Sequence, residues 1–370
     1  MKTLKTILVT AGGTAGHTLP ALELSNELVK RNYKVIFITD TRMFAFVNKN
    51  NKYKDIKILC FHGRGLYKKK YFKNIKSIIL LILAILQSLR TIYFYKPLLA
   101  YGFGGGITIP PLWICNLFKI PIILHEGNMI VGKANKFLST YAKVLTTFFP
   151  RMEGNIHKNV QKKCVGMPVR SSIEDIYKNK YIIKNNELIK ILITGGSLGA
   201  EVMATKVAKA LSCFPKDLLN KIFIIQQVRK ENIIYVKNLY DNASIQYKLE
   251  SYIENFSECL NWCHLIICRS GAGTIAENLI SGKPSIMIPL PTSSDNHQMK
   301  NALMIKDMGA GWIVSDNELS DQKQLIIKLK HIIFNKPILY EAAKLAKKNA
   351  IMGSSVYLVD IGQKLIKGNN

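Results

Sequence analysis

The chain is short of acidic residues. Asp and Glu number 24 against 52 Lys and Arg in 370 residues, leaving a net charge of +28. Such an excess suits a nucleic acid or an anionic membrane surface. Its lysines are scattered along the chain, however, and no RRM, KH or aromatic-interleaved basic motif is present. An RNA-binding protein would account for the charge but lacks those motifs, so no nucleic acid is expected as a partner. Cysteine is sparse too. Cys60, Cys115, Cys164, Cys213, Cys259, Cys263 and Cys268 are odd in number and lack paired spacing. That excludes a disulfide framework and points to a reducing, cytoplasmic setting. Cys259, Cys263 and His264 lie close together, but no second ligand pair follows at a zinc-like spacing, so they are read as core. The first glycine turn, Gly12 to His17, is not GxGxxG, and there is no DxD-type carboxylate pair in a metal-binding context. The N-terminal MKTLKTILVTAGG has only a short apolar run before its glycines and is expected to be a strand rather than a signal peptide.

What is present is enough for a full core. Apolar residues make up 48% of the chain, and its length suits two domains. A strand over 6–10 leads into the turn Gly12-Gly13-Thr14-Ala15-Gly16-His17, a helix over 20–29 and a second strand over 34–39. This is a βαβ opening with small residues set before a helix, as phosphate loops require. Asp40, just past the second strand, suits either a cap or a ribose-binding acid. A strand over 98–101 runs into Gly102-Phe103-Gly104-Gly105-Gly106, a helix over 107–118, a strand over 121–124 and His125-Glu126-Gly127-Asn128. The segment 143–147 is expected to be the last strand of this half. The pattern then restarts: VTAGGTAG from Val9 is matched by ITGGSLGA from Ile193. Two Rossmann-like halves are therefore expected. Their boundary should fall just after Gly166-Met167-Pro168-Val169-Arg170.

The richest stretch is CRSGAGTIAENLISGKPSIMIPLPTSSDNHQ, from Cys268 to Gln298. An apolar strand leads to Arg269, Ser270 and a small-residue turn. A helix with Ile275, Ala276, Leu279 and Ile280 on one face follows, and Gly282-Lys283-Pro284 ends it. A small-residue turn at a helix start offers unpaired N–H groups and a partial positive charge to a phosphate. Glu277 can accept two hydrogen bonds from a vicinal diol such as ribose, and Gln298 can reach a sugar hydroxyl. Phosphate, ribose and sugar together suggest a nucleotide sugar. An ordinary βαβ unit with a capped helix accounts for the same residues.

One segment stands apart. IILLILAIL, from Ile78 to Leu86, follows Lys68, Lys69, Lys70, Lys73 and Lys76 and precedes Arg90. It falls short of the roughly 20 apolar residues of a membrane span. A helix apolar all round is either buried or lies against lipid. The basic flank favours Ile78, Ile79, Ile82 and Leu83, with Lys69 and Lys73, facing an anionic membrane.

Taken in order, GGTAGH, GFGGG, HEGN, GMPVR, GGSLGA, RSGAGTIAE and DNHQ make the chain resemble, over nearly its whole length, the MurG family. These are the bacterial family 28 N-acetylglucosaminyltransferases that convert lipid I to lipid II in peptidoglycan synthesis. The resemblance implies an α/β protein of the GT-B class, two Rossmann-like parallel-sheet domains facing across a cleft. The first would span 1–170 plus about 352–370 and hold the acceptor and membrane. The second, 171–351, would bind UDP-GlcNAc. By motif position, Glu277 would hold the ribose. The 272–276 backbone (Ala272, Gly273, Thr274, Ile275, Ala276) and Ser197 would face the diphosphate, Gln298 the GlcNAc, and Ile253 the uracil edge, with Tyr252 stacking beside it. Asn128, Arg170 and the Thr14-Ala15-Gly16 turn would complete the donor pocket. Gly13, Gly104 and Gly105 would face acceptor phosphates, and Arg269 the leaving diphosphate. His17 and His125 are the acid–base candidates; His17 equally suits a helix cap or an acceptor-diphosphate contact. The reaction implied is an inverting transfer to the 4-hydroxyl of MurNAc, with no metal and no cofactor. Its implied setting is peripheral, at the cytoplasmic face of the inner membrane, with lipid I as acceptor; other cell-wall synthesis proteins are admissible partners. The family usually has Gln where this chain has Gly127 and often Gly where it has Ala15. Another GT-B enzyme, such as a different lipid transferase or a nucleotide-sugar epimerase, would share the Rossmann halves, but the GGTAGH and HEGN loops argue against it.

Overall fold

A computed structural model describes residues 4–48, 51–61, 75–195 and 200–368. The chain divides into two compact units, Met1–Val169 with Gly353–Asn370, and Arg170–Met352. Arg170 thus groups with the second unit, one residue earlier than the boundary read from the sequence.

Among the described residues, the first unit holds seven parallel strands: β1 Thr6–Thr10, β2 Lys34–Asp40, β3 Lys57–Phe61, β4 Leu99–Gly102, β5 Ile122–Glu126, β6 Val144–Thr147 and β7 Gln161–Cys164. Their order is β3-β2-β1-β4-β5-β6-β7. β1 is buried throughout, as a strand covered on both faces must be. Ile7 and Val9 pack in one apolar cluster and Leu8 in another, one on each side of the sheet. The order reverses between β1 and β4, where Thr10 pairs with Gly102. Both glycine turns of this unit therefore leave the carboxyl edge of the sheet at its switch point, where such folds bind ligands. β3 and β7 were not legible in the sequence. β7 is the polar QKKC at a sheet edge, with no apolar face to reveal it, so 143–147 is not the last strand.

The second unit repeats the plan with β8 Ile189–Thr194, β9 Ile222–Gln227, β10 Gln246–Glu250, β11 Leu265–Cys268, β12 Ser285–Met287 and β13 Gly311–Ile313. Its order, β10-β9-β8-β11-β12-β13, again turns at the first strand. Cys268 pairs with Thr194, so β8 and β11 end at the same edge of the sheet.

The C-terminal helix Ser354–Gly368 returns to the first unit. The Tyr101 hydroxyl donates to the Leu358 carbonyl at 2.9 Å, and Arg31 pairs with Asp360 at 2.6 Å. The helix Ile75–Tyr95 is longer than its apolar run suggests. By length and composition alone, its Ile78–Tyr95 window suffices to cross a membrane. Yet Ala84, Ser88, Thr91 and Ile92 are buried, and the helix packs on the Ile109–Leu117 helix. The opposite face carries Ile78, Ile79, Ile82, Leu83 and Leu86, all exposed by 44–55%.

Candidate active site

In the first unit, the helix after β1 begins at Ala15, with Thr14 as its N-cap, rather than at Pro20. His17 therefore sits inside the first turn of the helix. Pro20 is tolerated one turn later, although proline removes a donor there. The Thr14 side chain caps no helix N–H, its hydroxyl lying instead 3.5 Å from His17 Nδ1, and the first N–H groups of a helix have no intrahelical acceptor. Ala15 and Gly16 thus present N–H groups that suit an anion. Gly13 does not. Its N–H donates to the Asp40 carboxylate, whose Oδ1 also accepts from the N–H groups of Arg42 and Met43, both at 3.1 Å. A spent donor beside a carboxylate cannot hold a phosphate, so the diphosphate role expected of Gly13 falls away.

His17 is half-buried. Its Nδ1 lies 3.1 Å from the Gly12 carbonyl oxygen, which can only accept, so the proton is on Nδ1. Nε2 is then the lone-pair nitrogen. It lies over Gly104, where an added Cβ would come within 3.4 Å of it. Gly104 and Gly105 both have φ near +90°, and a side chain at Gly105 would run into the Gly12 carbonyl. The Gly12 N–H donates to the Gly104 carbonyl at 3.3 Å, so the two glycine turns are tied together.

His125 is a different case. It lies within β5 and is 2% exposed. The Thr146 hydroxyl gives its one hydrogen to the Leu124 carbonyl (2.9 Å), so His125 Nδ1–H donates to Thr146 Oγ1 at 3.0 Å. Nε2 faces Met167 Sδ at 3.3 Å, and the ring packs on Phe103. Burial, with a smaller contribution from nearby His17, pushes its pKa down to about 3. A general base must reach the proton it removes. Of the two histidines, only His17 has that access, and His125 is corrected to a neutral core residue. The sequence could not show this, because Thr146 and Met167 lie far along the chain.

Glu126, also 2% exposed, organises the loop that follows. Its carboxylate accepts from the Asn128 N–H (3.0 Å) and side-chain amide (3.2 Å), from the Gly132 N–H (2.9 Å) and from Asn135 Nδ2 (2.9 Å). A buried carboxylate needs such partners. They fix the loop that carries Asn128.

In the second unit, the helix Ala272–Ser281 starts behind Gly271, without a side-chain cap. The N–H groups of Ala272, Gly273 and Thr274 precede the first intrahelical bond. Ile275 N–H is already used by the Gly271 carbonyl at 3.0 Å. Ile275 and Ala276 are also 1% exposed. The expected 272–276 cradle therefore narrows to its first three residues. Glu277 lies further along, its side chain 16% exposed, and Arg170 Nη2 donates to its Oε1 at 2.8 Å. The Arg170 guanidinium stacks over Phe256, 5.2 Å from the ring centre. Arg269 is committed elsewhere: its Nη1 donates to the Ile288 and Pro289 carbonyls at 3.0 and 2.9 Å. Only Nη2 and Nε remain for a diphosphate.

Gln298 opens the helix His297–Asp307. Its Oε1 accepts from Leu290 N–H at 2.9 Å, which leaves the amide NH2 to donate. Buried Ser270 donates to the Gln298 carbonyl at 2.8 Å and holds the turn after β11 against this helix. Tyr252 is 54% exposed and Ile253 is 6% exposed. Ser197, Lys69 and Lys73 lie outside the described residues. Among the described residues, no group of three His, Cys, Asp or Glu side chains stands close enough to hold a metal.

Two parallel-sheet units, each with its strand order reversing at its first strand, define the GT-B class of glycosyltransferase fold. The glycosyltransferase family 28 N-terminal domain matches residues 7–147 and its C-terminal domain residues 190–354. The UDP-N-acetylglucosamine--N-acetylmuramyl-(pentapeptide) pyrophosphoryl-undecaprenol N-acetylglucosamine transferase of Rickettsia prowazekii (strain Madrid E) is 33% identical. That match covers 92% of this chain and 94% of the relative. Acinetobacter baumannii MurG superposes with a TM-score of 0.78 at 25% identity, covering 97% of this chain and 99% of that one. The chain belongs to glycosyltransferase family 28 and, within it, to the MurG transferases. The UDP-GlcNAc 2-epimerase of Neisseria meningitidis, at TM-score 0.66 and 15% identity over 97% of this chain and all of that one, shares the fold alone.

Proposed function

We propose that the chain is an inverting glycosyltransferase that moves GlcNAc from UDP-GlcNAc to the 4-hydroxyl of MurNAc in undecaprenyl-pyrophosphoryl-MurNAc-pentapeptide. The observation that carries this reading is the likeness to relatives named for that transfer, which spans 92% of this chain and 94% of the first relative. The second unit supplies chemistry that suits the donor. Glu277 accepts from the ribose diol, and the N–H groups of Ala272, Gly273 and Thr274 meet the diphosphate. The Gln298 amide donates to the sugar, and Tyr252 offers a stacking face to uracil beside Ile253.

The acceptor hydroxyl attacks the anomeric carbon of GlcNAc. A C–O bond forms there as the bond to the β-phosphate oxygen breaks, and the electron pair leaves with UDP. The hydroxyl proton passes to Nε2 of His17. An alcohol attacks poorly unless a base takes its proton, a contribution of about 10²–10⁴-fold. Negative charge that grows on the diphosphate is met by helix N–H groups already in place. The reading needs no metal.

The acceptor is a membrane lipid. The exposed apolar face of the Ile75–Tyr95 helix, half-inserted among acyl chains, would hold the enzyme peripherally on the cytoplasmic leaflet, and the chain's positive charge favours anionic lipid. The test is transfer of labelled GlcNAc from UDP-GlcNAc to a lipid I analogue by the purified chain. Label in the lipid product is expected, with His17→Ala lowering turnover by about 10²–10⁴-fold. Label released only as free sugar would overturn the reading.

A further inference from the structure

We infer that Asp40 is a positioning residue for His17, acting through a single peptide unit. The inference rests on the reading of His17 as the base.

The carbonyl of Gly12 and the N–H of Gly13 belong to the same planar peptide. Asp40 accepts the N–H at one end of that plane, and His17 Nδ1–H donates to the oxygen at the other, 3.1 Å away. The carboxylate fixes the plane, and the plane fixes the imidazole. Asp40 is itself held, because its Oδ1 caps the helix Thr41–Asn48 through the N–H groups of Arg42 and Met43. Gly12 lies so close that an added Cβ would meet Asp40 Oδ2 and Ile107. The contact therefore needs glycine at that position.

Two consequences follow for the imidazole. With Nδ1–H engaged, the neutral ring keeps its lone pair on Nε2, the nitrogen over Gly104 that is read as taking the acceptor's proton. A negative charge on the N–H end of a peptide also polarises its carbonyl, and hydrogen bonds in a chain strengthen one another. The Gly12 oxygen then stabilises the positive charge that His17 gains when it takes the proton. The arrangement does the work of a carboxylate bonded directly to histidine, with one peptide between them.

Asp40→Asn separates this role from the cap. Its Oδ1 still accepts from Arg42 and Met43, while an NH2 replaces the oxygen that faced Gly13 N–H and sets donor against donor. Asp40→Ser, which caps a helix but is too short to bridge, is the second variant should the first fold poorly. Full-length protein with ¹⁵N-labelled histidine is examined by long-range proton–nitrogen correlation, with circular dichroism and steady-state kinetics alongside. Wild-type His17 is expected as the Nδ1–H tautomer, and either variant as a tautomer mixture. Turnover is expected to fall roughly tenfold, the worth of one hydrogen bond of ordinary strength, with the donor KM unchanged. An unchanged His17 spectrum overturns the inference, whatever happens to turnover. A changed spectrum with unchanged turnover overturns it as a catalytic device. The base reading fails separately, if His17→Ala keeps wild-type turnover. The spectra would then still decide whether Asp40 sets the tautomer.

Discussion

Arg170 and Glu277 lie 107 positions apart in sequence and meet at 2.8 Å, with the Arg170 guanidinium over the Phe256 ring. One oxygen of the carboxylate read as the ribose acceptor is thus held by a stacked cation, and its direction is set before any ligand arrives. Hydrogen bonds to a charged group contribute about 1.5–3 kcal/mol. Glu277→Ala should therefore weaken UDP binding roughly 10- to 100-fold in calorimetry, with the fold intact. Arg170→Ala should weaken it less. The double variant should cost little more than Glu277→Ala alone, because residues in direct contact do not act additively. Unchanged UDP affinity in Glu277→Ala would remove the ribose assignment.

The exposed face of the Ile75–Tyr95 helix makes a second prediction. Ile82 and Leu83 are 51% and 44% exposed and point away from the buried row of Ala84, Ser88 and Ile92. Replacing both with Glu should leave the circular dichroism spectrum and melting temperature close to wild type. Sedimentation with anionic vesicles should be lost, while activity on a soluble acceptor persists. Intact fold with intact vesicle binding would show that another surface anchors the chain.

His125 gives a pH dependence whose sign follows from its burial. Its native pKa lies near 3, against an ordinary value of 6.5. Between those values the unfolded chain takes up a proton that the native one refuses. The contribution is therefore complete above about pH 6.5 and is lost as the pH falls toward 3, at up to about 1.4 kcal/mol per pH unit. His264 in the second unit, depressed to about 4 mainly by burial, acts in the same direction. Urea midpoints should fall between pH 7 and pH 5, and His125→Gln should flatten that fall without abolishing it. An equally steep fall in the variant would show that His125 is solvated.

Much of this architecture was legible because the signals are local. The glycine turns after β1 and β4, the apolar strands they follow, and the helix that ends before Gly282 are each written within a dozen residues. The candidate site was legible in its residues but not in its pairings. His17 and His125 look alike in sequence. They differ because β6 brings Thr146 against one, while the Gly12 carbonyl faces the other. Asp40 reads as a cap until the fold places Gly13 N–H on its second oxygen. Arg269 reads as a phosphate ligand, and only the fold shows that two carbonyls just past β12 take its Nη1 and leave Nη2 and Nε for that role. The edge strand β7 escaped because a polar QKKC carries no period that sets a strand apart from a loop. The Thr146, Asp40 and Arg269 contacts join segments well apart in the chain, and such contacts leave no mark in periodicity or spacing.

The most direct test of the account is the linkage made from ¹³C-labelled UDP-GlcNAc and a lipid I analogue, read by NMR in the presence of a chelator. The account predicts a β-1,4-linked GlcNAc–MurNAc product, one UDP released per bond formed, and a rate that the chelator leaves unchanged. An α-linked product, a 2-epimerised sugar, or hydrolysis without transfer would contradict it.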